Sequence, residues 1–159
     1  MNLFILDSDP WAAAKAHHDK HVVKMILESA QMLCTAHHLA SLDPSPHLYK
    51  PCFHNHPCTK WVRENNRNYY WGLNYFIALC FEYSHRYNKI HSSYKKLSAL
   101  LVNVPETLDF SSKVTDFAQA MPDKYKNKDA VKAYRDYYKG EKINQSKWTR
   151  RQEPSWING

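Results

Sequence analysis

Apolar residues recur at helical spacing along most of the chain, and strand-like alternation is confined to the opening residues Leu3–Leu6. The stretch Trp11–Ala40 contains no Gly or Pro and is rich in helix-favouring residues, which predicts a long helix. Asp9 suits its N-cap and Pro10 its first turn. Because one unbroken helix would be very long, we expect a break near His18-Asp19.

The remaining helical patterns are separated by Pro, Asn and Gly. They are a long helix from Pro57 to near Asn88, a helix from an N-cap at Ser92 to Pro105, one short helix around Ser112–Gln119, and a helix after Asn127 that ends at Gly140. The pattern predicts a mainly α protein. It indicates a single compact domain over 1–159, with about four to five helices and a basic, Trp-containing tail at 141–159.

Composition excludes several classes of protein. Hydrophobic residues make up 43% of the 159 and charged residues 23%, which is neither a disordered nor a membrane-like composition. With only three glycines, the chain lacks the Gly-rich phosphate loops of nucleotide-cofactor enzymes, and we expect no cofactor. The opening is too short and acidic for a secretory leader, so we expect a cytoplasmic protein whose four cysteines are free thiols.

A reactive polar stripe lies on the first long helix. Its members are His17, His21, Lys24, Glu28 and Gln31, whose spacing keeps them on one helix face. On pattern alone, a solvated face with a Lys24–Glu28 ion pair is the simpler interpretation. The mixture of carboxylate, amine and imidazole also supplies the groups needed for general acid–base chemistry at neutral pH.

Two thiols and two imidazoles fall within the seven residues from Cys52 to Cys58, with His54 and His56 between them. This composition raises a zinc hypothesis, but the paired spacings of structural zinc sites are missing, so we expect no bound metal. A metal-dependent hydrolase that uses these imidazoles with His17 and His21 remains an alternative.

Basic and amide side chains suggest a nucleic-acid partner. The formal charge is +7, and four Asn lie in the second long helix although Asn is a poor helix former. Asn65 and Asn68 share one side of it, where they would either read a base edge or satisfy neighbouring backbone. The tail adds the DNA-binding candidates Lys147, Trp148, Arg150 and Arg151. A noncatalytic nucleic-acid-binding protein is therefore one hypothesis.

One short motif resembles a known enzyme family. Asp19, His21 and Glu28 match the D-x-H-x6-E stretch on the first helix of the bacteriophage endonuclease V-type pyrimidine-dimer DNA glycosylases. The His56-Pro57 turn before a long helix, the Met121-Pro122 turn and the Trp-rich basic tail are also similar to that family.

The resemblance implies an all-α DNA glycosylase that flips out a damaged or modified pyrimidine, cleaves its N-glycosidic bond, and then breaks the strand by lyase chemistry. In that family the amine of the first residue attacks the sugar C1′, while the glutamate matching Glu28 stabilises the sugar cation. His21 would orient the DNA or the glutamate, with Lys24 and His56 near the pocket. His17 and Lys20 are further DNA-binding candidates, and we expect a monomer without membrane contact.

The sequence does not identify the nucleophile. The family exposes a small first residue after loss of the initiator Met, whereas Asn2 is bulky and should discourage that removal. The attacking group is then the amine of Met1, the side chain of Lys20 or Lys24 if burial lowers its pKa, or a water activated by Glu28. Gln31 and Met32 occupy the turn where the family has Arg residues, so a substrate other than a dimer, such as a modified pyrimidine, is compatible with the sequence.

Overall fold

The computed structural model describes residues 1–144 and 146–159, which fold into a mainly α domain without a β-strand among them. The α-helices are α1 (Pro10–Ala16), α2 (Asp19–Ala40), α3 (Pro57–Val62), α4 (Asn66–Tyr87), α5 (Ser92–Leu101) and α6 (Ala130–Glu141). Two 3-10 turns lie before and after α6, at Asp123–Tyr125 and Ser155–Ile157. The mainly α prediction is confirmed, with slightly more helices than expected. No helix among the described residues is long and apolar enough to cross a membrane.

The predicted break in the first helical stretch is confirmed. Asp9 caps α1 by accepting a 2.9 Å hydrogen bond from the Ala12 amide, and Pro10 is the first helical residue. His17 and His18 then adopt extended backbone conformations, and the His18 ring accepts from the His21 amide as the N-cap of α2. Each helix therefore begins where a side chain satisfies its first free amides.

The single long helix expected from Pro57 is wrong, because the structure divides it into α3 and α4. The Asn65 side chain accepts 2.9 Å hydrogen bonds from the amides of Arg67 and Asn68. Asn65 itself is extended, with φ −159°, so a new helix starts after it. The predicted end is confirmed, since Asn88 closes α4 in the left-handed conformation.

Three smaller expectations need correction. His91, not Ser92, is the N-cap of α5, since its ring accepts from the Ser93 amide. The segment 112–119 forms no helix, because it is held extended along α4: the Thr115 amide donates 3.0 Å to Asn68 Oδ1. The last helix begins after Asp129, which caps it, and ends one residue beyond Gly140.

Helix α4 is central and packs against α1, α2, α3 and α5. Its buried face carries Tyr69, Tyr75, Phe76 and Leu79, all fully enclosed. The opening segment Leu3–Leu6 is also buried, although it belongs to no helix. The start of the chain is therefore part of the core, which fixes the position of the first two residues.

The tail is fastened to the helical core by charged side chains. Asp19 accepts from both the amide and the hydroxyl of Thr149, while Arg151 donates two 2.9 Å hydrogen bonds to Glu82. Arg86, wholly buried, bonds to Asp19 and Glu82 and joins the two anchors. All four cysteines are free, as expected.

Candidate active site

The start of the chain meets α2 at Glu28. The backbone amide of Asn2 donates a 2.8 Å hydrogen bond to Glu28 Oε2, and the α-amino nitrogen of Met1 lies 3.7 Å from the same oxygen. The Glu28 residue is only 9% exposed. A terminal amine and a nearly buried carboxylate are thus held side by side.

The Asn2 side chain holds this arrangement in place. Its Oδ1 accepts from the Leu3 amide at 2.8 Å and from the Tyr134 hydroxyl at 3.0 Å, and its Nδ2 donates to the Ala120 carbonyl at 2.7 Å. Sequence reasoning considered Asn2 only as a bulky residue behind Met1 and missed this role. Two of its partners, Ala120 and Tyr134, lie more than a hundred residues away, so no local spacing signals them.

Glu28 lies in the wall of a cavity of about 460 Å³ between α2 and the start of α5. Lys24 enters the same wall, and its Nζ lies 3.6 Å from Glu28 Oε1 with the side chain mostly in solvent. The opposite wall includes Tyr49 and His91. The cavity gives a small organic group access to the carboxylate, and the polar stripe of α2 supplies two of its charged groups.

His56, the imidazole expected near the pocket, lies at the start of α3. It is the N-cap of α3, where its Nδ1 accepts from the Cys58 amide at 3.2 Å. Burial lowers the pKa of His56, the positive amino terminus lowers it further, and Glu28 opposes both effects. The imidazole is therefore favoured in its neutral form.

His21 does not accompany Glu28. It lies two helical turns earlier, about 10 Å along the axis, and its ring stacks on Phe4 at a centroid distance of 4.6 Å. Burial, with the neighbouring His17 and His18, lowers the pKa of His21 to about 2. The structure places this ring in a neutral aromatic cluster, so the expectation that it orients the glutamate is not supported by their separation.

His17 lies deeper still, which corrects its assignment to a DNA-contacting face. The residue is fully buried, with Nδ1 2.6 Å from the Ala13 carbonyl and Nε2 2.9 Å from the Tyr75 hydroxyl. Burial lowers its pKa to about 3. The predicted stripe therefore divides into a buried part at His17 and a cavity-lining part at Lys24 and Glu28.

The two amides expected to read a base are internal, which corrects that interpretation. Asn65 caps α4, and Asn68 is fully buried, donating to the Trp61 carbonyl at 2.9 Å and to the Thr115 hydroxyl at 2.7 Å. Their hydrogen-bonding groups hold the extended segment against the helix. The alternative interpretation, in which these amides form hydrogen bonds with neighbouring backbone groups, fits the structure.

Of the remaining DNA-binding candidates, two are half-buried and three are exposed. Arg151 is committed to Glu82, and the indole of Trp148 donates to the Ala16 carbonyl at 3.0 Å, so both stabilise the tail. Lys20, Lys147 and Arg150 are exposed. Because Lys20 is not buried, the desolvation that would activate it as a nucleophile is missing.

The residues of the zinc hypothesis are not assembled for coordination. Cys58 is buried against Asn2 and Tyr134, and burial raises the pKa of its thiol to about 11. Among residues 1–144 and 146–159, no group of three or more His, Cys, Asp or Glu side chains is arranged to hold a metal ion.

Comparison with known families adds a separate observation. The sequence model of a family described as pyrimidine dimer DNA glycosylase matches residues 1–95, more than half of the chain. The chain belongs to the pyrimidine dimer DNA glycosylase family. The part that matches this DNA glycosylase family includes Met1, Glu28 and His56, and it ends within α5. Neither the curated proteins nor the solved structures gave a significant match.

Proposed function

We propose that this protein is a DNA glycosylase that excises a damaged or modified pyrimidine, with Glu28 as the central catalytic group. The observation that carries the proposal is the 3.7 Å pairing of the Met1 amine with Glu28, a carboxylate that itself lines an open cavity. Family membership supports the reaction class, and the geometry supports the assignment of roles.

The proposed chemistry uses one carboxylate and one amine. As the bond between C1′ and the base nitrogen breaks, its electron pair leaves with the base, which takes up a proton, and positive charge develops on the sugar. Glu28 stabilises that charge, because a carboxylate in a mostly dry site acts more strongly than one in water. The amine gives up a proton and attacks C1′; the C1′–O4′ bond then breaks, O4′ takes up a proton and the nitrogen becomes a Schiff base. Loss of a C2′ proton from this Schiff base expels the 3′ phosphate and breaks the strand.

An amine nucleophile is available near Glu28 whether Met1 is retained or removed. With Met1 present, its nitrogen lies 3.7 Å from Glu28 Oε2. If Met1 were removed, the nitrogen of Asn2 would become the terminal amine, and it already lies 2.8 Å from the same oxygen. Lys24 remains a further amine candidate, with its Nζ 3.6 Å from Glu28 Oε1 and its side chain mostly in solvent. We assign Met1 as the nucleophile.

DNA binding is proposed to rest on exposed cationic side chains of the surface. The chain carries a formal charge of +7, and Lys20, Lys24, Lys147 and Arg150 are exposed. Lysine and arginine neutralise phosphates without reading sequence, so they position the duplex rather than select the base. Selection of the nucleotide is assigned to the cavity beside Glu28.

The test is base release from oligonucleotides containing pyrimidine dimers, uracil or hypermodified pyrimidines, with an abasic-site oligonucleotide that reports strand cleavage alone. We expect the wild type to release one of these bases and Glu28→Gln to slow that release about 100-fold or more, with DNA affinity retained. Glu153→Gln, at an exposed tail glutamate, is the matched control. Equal rates for Glu28→Gln and wild type would contradict the proposal, and salt-dependent binding without release from any substrate would favour the noncatalytic alternative.

A further inference from the structure

Phe53 combines two unfavourable features at one position. Its φ is +46°, in the left-handed region that bulky side chains rarely adopt. Its side chain is also left in water, with 65% of the residue exposed. Neither feature stabilises the free protein, since the first is backbone strain and the second leaves an aromatic ring unburied.

The backbone around Phe53 is held on both sides. Thr35 of α2 fixes the preceding residue twice, because its hydroxyl donates to the Cys52 carbonyl at 3.2 Å and accepts from the Cys52 amide at 3.1 Å. On the other side, the Phe53 carbonyl accepts from the His56 amide at 2.9 Å. The strained conformation is therefore imposed by a built turn and is not a feature of a loose loop.

The segment that carries Phe53 borders the proposed catalytic centre on both sides of the turn. Tyr49, four residues before Phe53, lines the Glu28 cavity. Cys58, five residues after Phe53, lies with its Sγ 3.6 Å from Asn2 Oδ1, and the Asn2 amide donates to Glu28. The exposed ring thus projects from a segment whose two ends contact the cavity and the start of the chain.

Strain that a protein maintains next to its site is typical of residues that act in the complex. An apolar side chain inserted between base steps unstacks DNA and occupies the space that an extruded nucleotide leaves. We propose that Phe53 enters the base stack of bound duplex DNA beside the nucleotide that rotates into the Glu28 cavity. The inference rests on the proposed function for its substrate, and it makes Phe53 a positioning residue that holds the nucleotide out of the helix.

The test uses a duplex with 2-aminopurine next to a tetrahydrofuran abasic-site analogue. The fluorescence of 2-aminopurine reports unstacking, and the analogue has no base that the protein could release. We expect binding of the wild type to raise the fluorescence several-fold and binding of Phe53→Ala to leave it near that of free DNA. Phe53→Leu, which keeps an apolar side chain, should restore most of the change. Phe110→Ala is the matched control, because Phe110 is also highly exposed but lies in another segment.

Single-turnover kinetics distinguish a failure of the Phe53 role from a failure of the proposed glycosylase activity. In single-turnover base release, we expect Phe53→Ala to be slowed about 10-fold or more, with nonspecific DNA affinity and thermal midpoint close to those of wild type. Equal fluorescence and equal rates for Phe53→Ala and wild type would overturn the inference while leaving the glycosylase intact. A Phe53-dependent fluorescence change in a protein that releases no base would sustain the inference and reject the proposed activity. A wild type that never alters the fluorescence would overturn the inference.

Discussion

The amide of Asn2 and the carboxylate of Glu28 are joined by a 2.8 Å hydrogen bond between groups 26 residues apart. This bond brings the first residue of the chain to the middle of α2. The Asn2 side chain adds a second connection, because it accepts from Tyr134 of α6. The candidate site therefore depends on three distant parts of the chain meeting at one residue.

Asn2→Ala should damage both stability and activity. The substitution removes the acceptor for the buried Leu3 amide and leaves the half-buried Ala120 carbonyl without its donor, while the Tyr134 hydroxyl keeps only its 2.7 Å bond to the Ala118 carbonyl. We expect a loss of about 2–3 kcal/mol in the free energy of unfolding, measured in urea.

Base release by Asn2→Ala should fall more than the unfolded fraction explains, because the amine is no longer held beside Glu28. Asn158→Ala, at an exposed position near the C-terminus, is the control and should change neither quantity. A fully stable Asn2→Ala protein would contradict the anchoring role.

Arg86→Met tests the buried ion network. Arg86 has no exposed side-chain area and bonds to Asp19 at 2.9 Å and to Glu82 at 2.8 Å. Without Arg86, Asp19 keeps only Thr149 and the nearly buried Glu82 keeps only Arg151, so we expect a cost of about 3 kcal/mol. Arg67→Met, at an exposed arginine, should cost less than about 1 kcal/mol in the same urea titration. Similar losses in the two variants would refute the assignment.

Acid should destabilise the fold before its carboxylates titrate. Burial lowers the pKa of His17 to about 3, of His18 to about 4 and of His21 to about 2, whereas each is near 6.5 in the unfolded chain. The unfolded state therefore binds more protons, and stability is lost as the pH falls below about 6.5. Urea unfolding at pH 7.5, 6.0 and 5.0 should show a steady decrease.

Two substitutions test whether the buried cluster of His17, His18 and His21 causes this pH dependence. His21→Phe should reduce the slope by about one proton, since it removes one group that titrates only on unfolding. His54→Asn, at an exposed histidine, should leave the slope unchanged. A free energy of unfolding that is constant between pH 7.5 and 5.0 would argue against a neutral buried cluster.

Lys24→Met separates binding from folding. Its Nζ is mostly in solvent and forms only an i, i+4 pair with Glu28, so stability should change by less than about 0.5 kcal/mol. If Lys24 contacts a phosphate, the slope of log affinity against log salt should fall by about 1. Lys89→Met, at an exposed lysine near the end of α4, is a suitable comparison. An unchanged slope would remove Lys24 from the DNA interface.

The elements of the fold were largely predictable from sequence because their signals are local. Asp9 and Pro10 mark the start of α1, and Asn88 marks the end of α4. The division between α3 and α4 was missed because apolar spacing continues across Asn65, whose capping role depends on side-chain orientation. No helix forms at 112–119, where one was expected, because tertiary hydrogen bonds to α4 hold that segment extended.

The candidate site was predictable only in part. Lys24 and Glu28 follow from helical spacing on one element, and the structure places both in the cavity wall. The same spacing grouped His17 with them, yet the helix break before Asp19 sends His17 into the core. The role of Asn2 arises from contacts over more than a hundred residues, which no sequence period encodes.

Borohydride trapping on substrate DNA, followed by peptide mapping of the covalent adduct, identifies the amine that attacks the sugar. We expect wild type to be trapped through the α-amine of residue 1 and Glu28→Gln to give little or no adduct. An uncleaved extension before Met1 should prevent trapping, because it replaces the amine with an amide. Base release without any trapped protein, or an adduct mapped to Lys24, would contradict the pairing of Glu28 with the N-terminal amine.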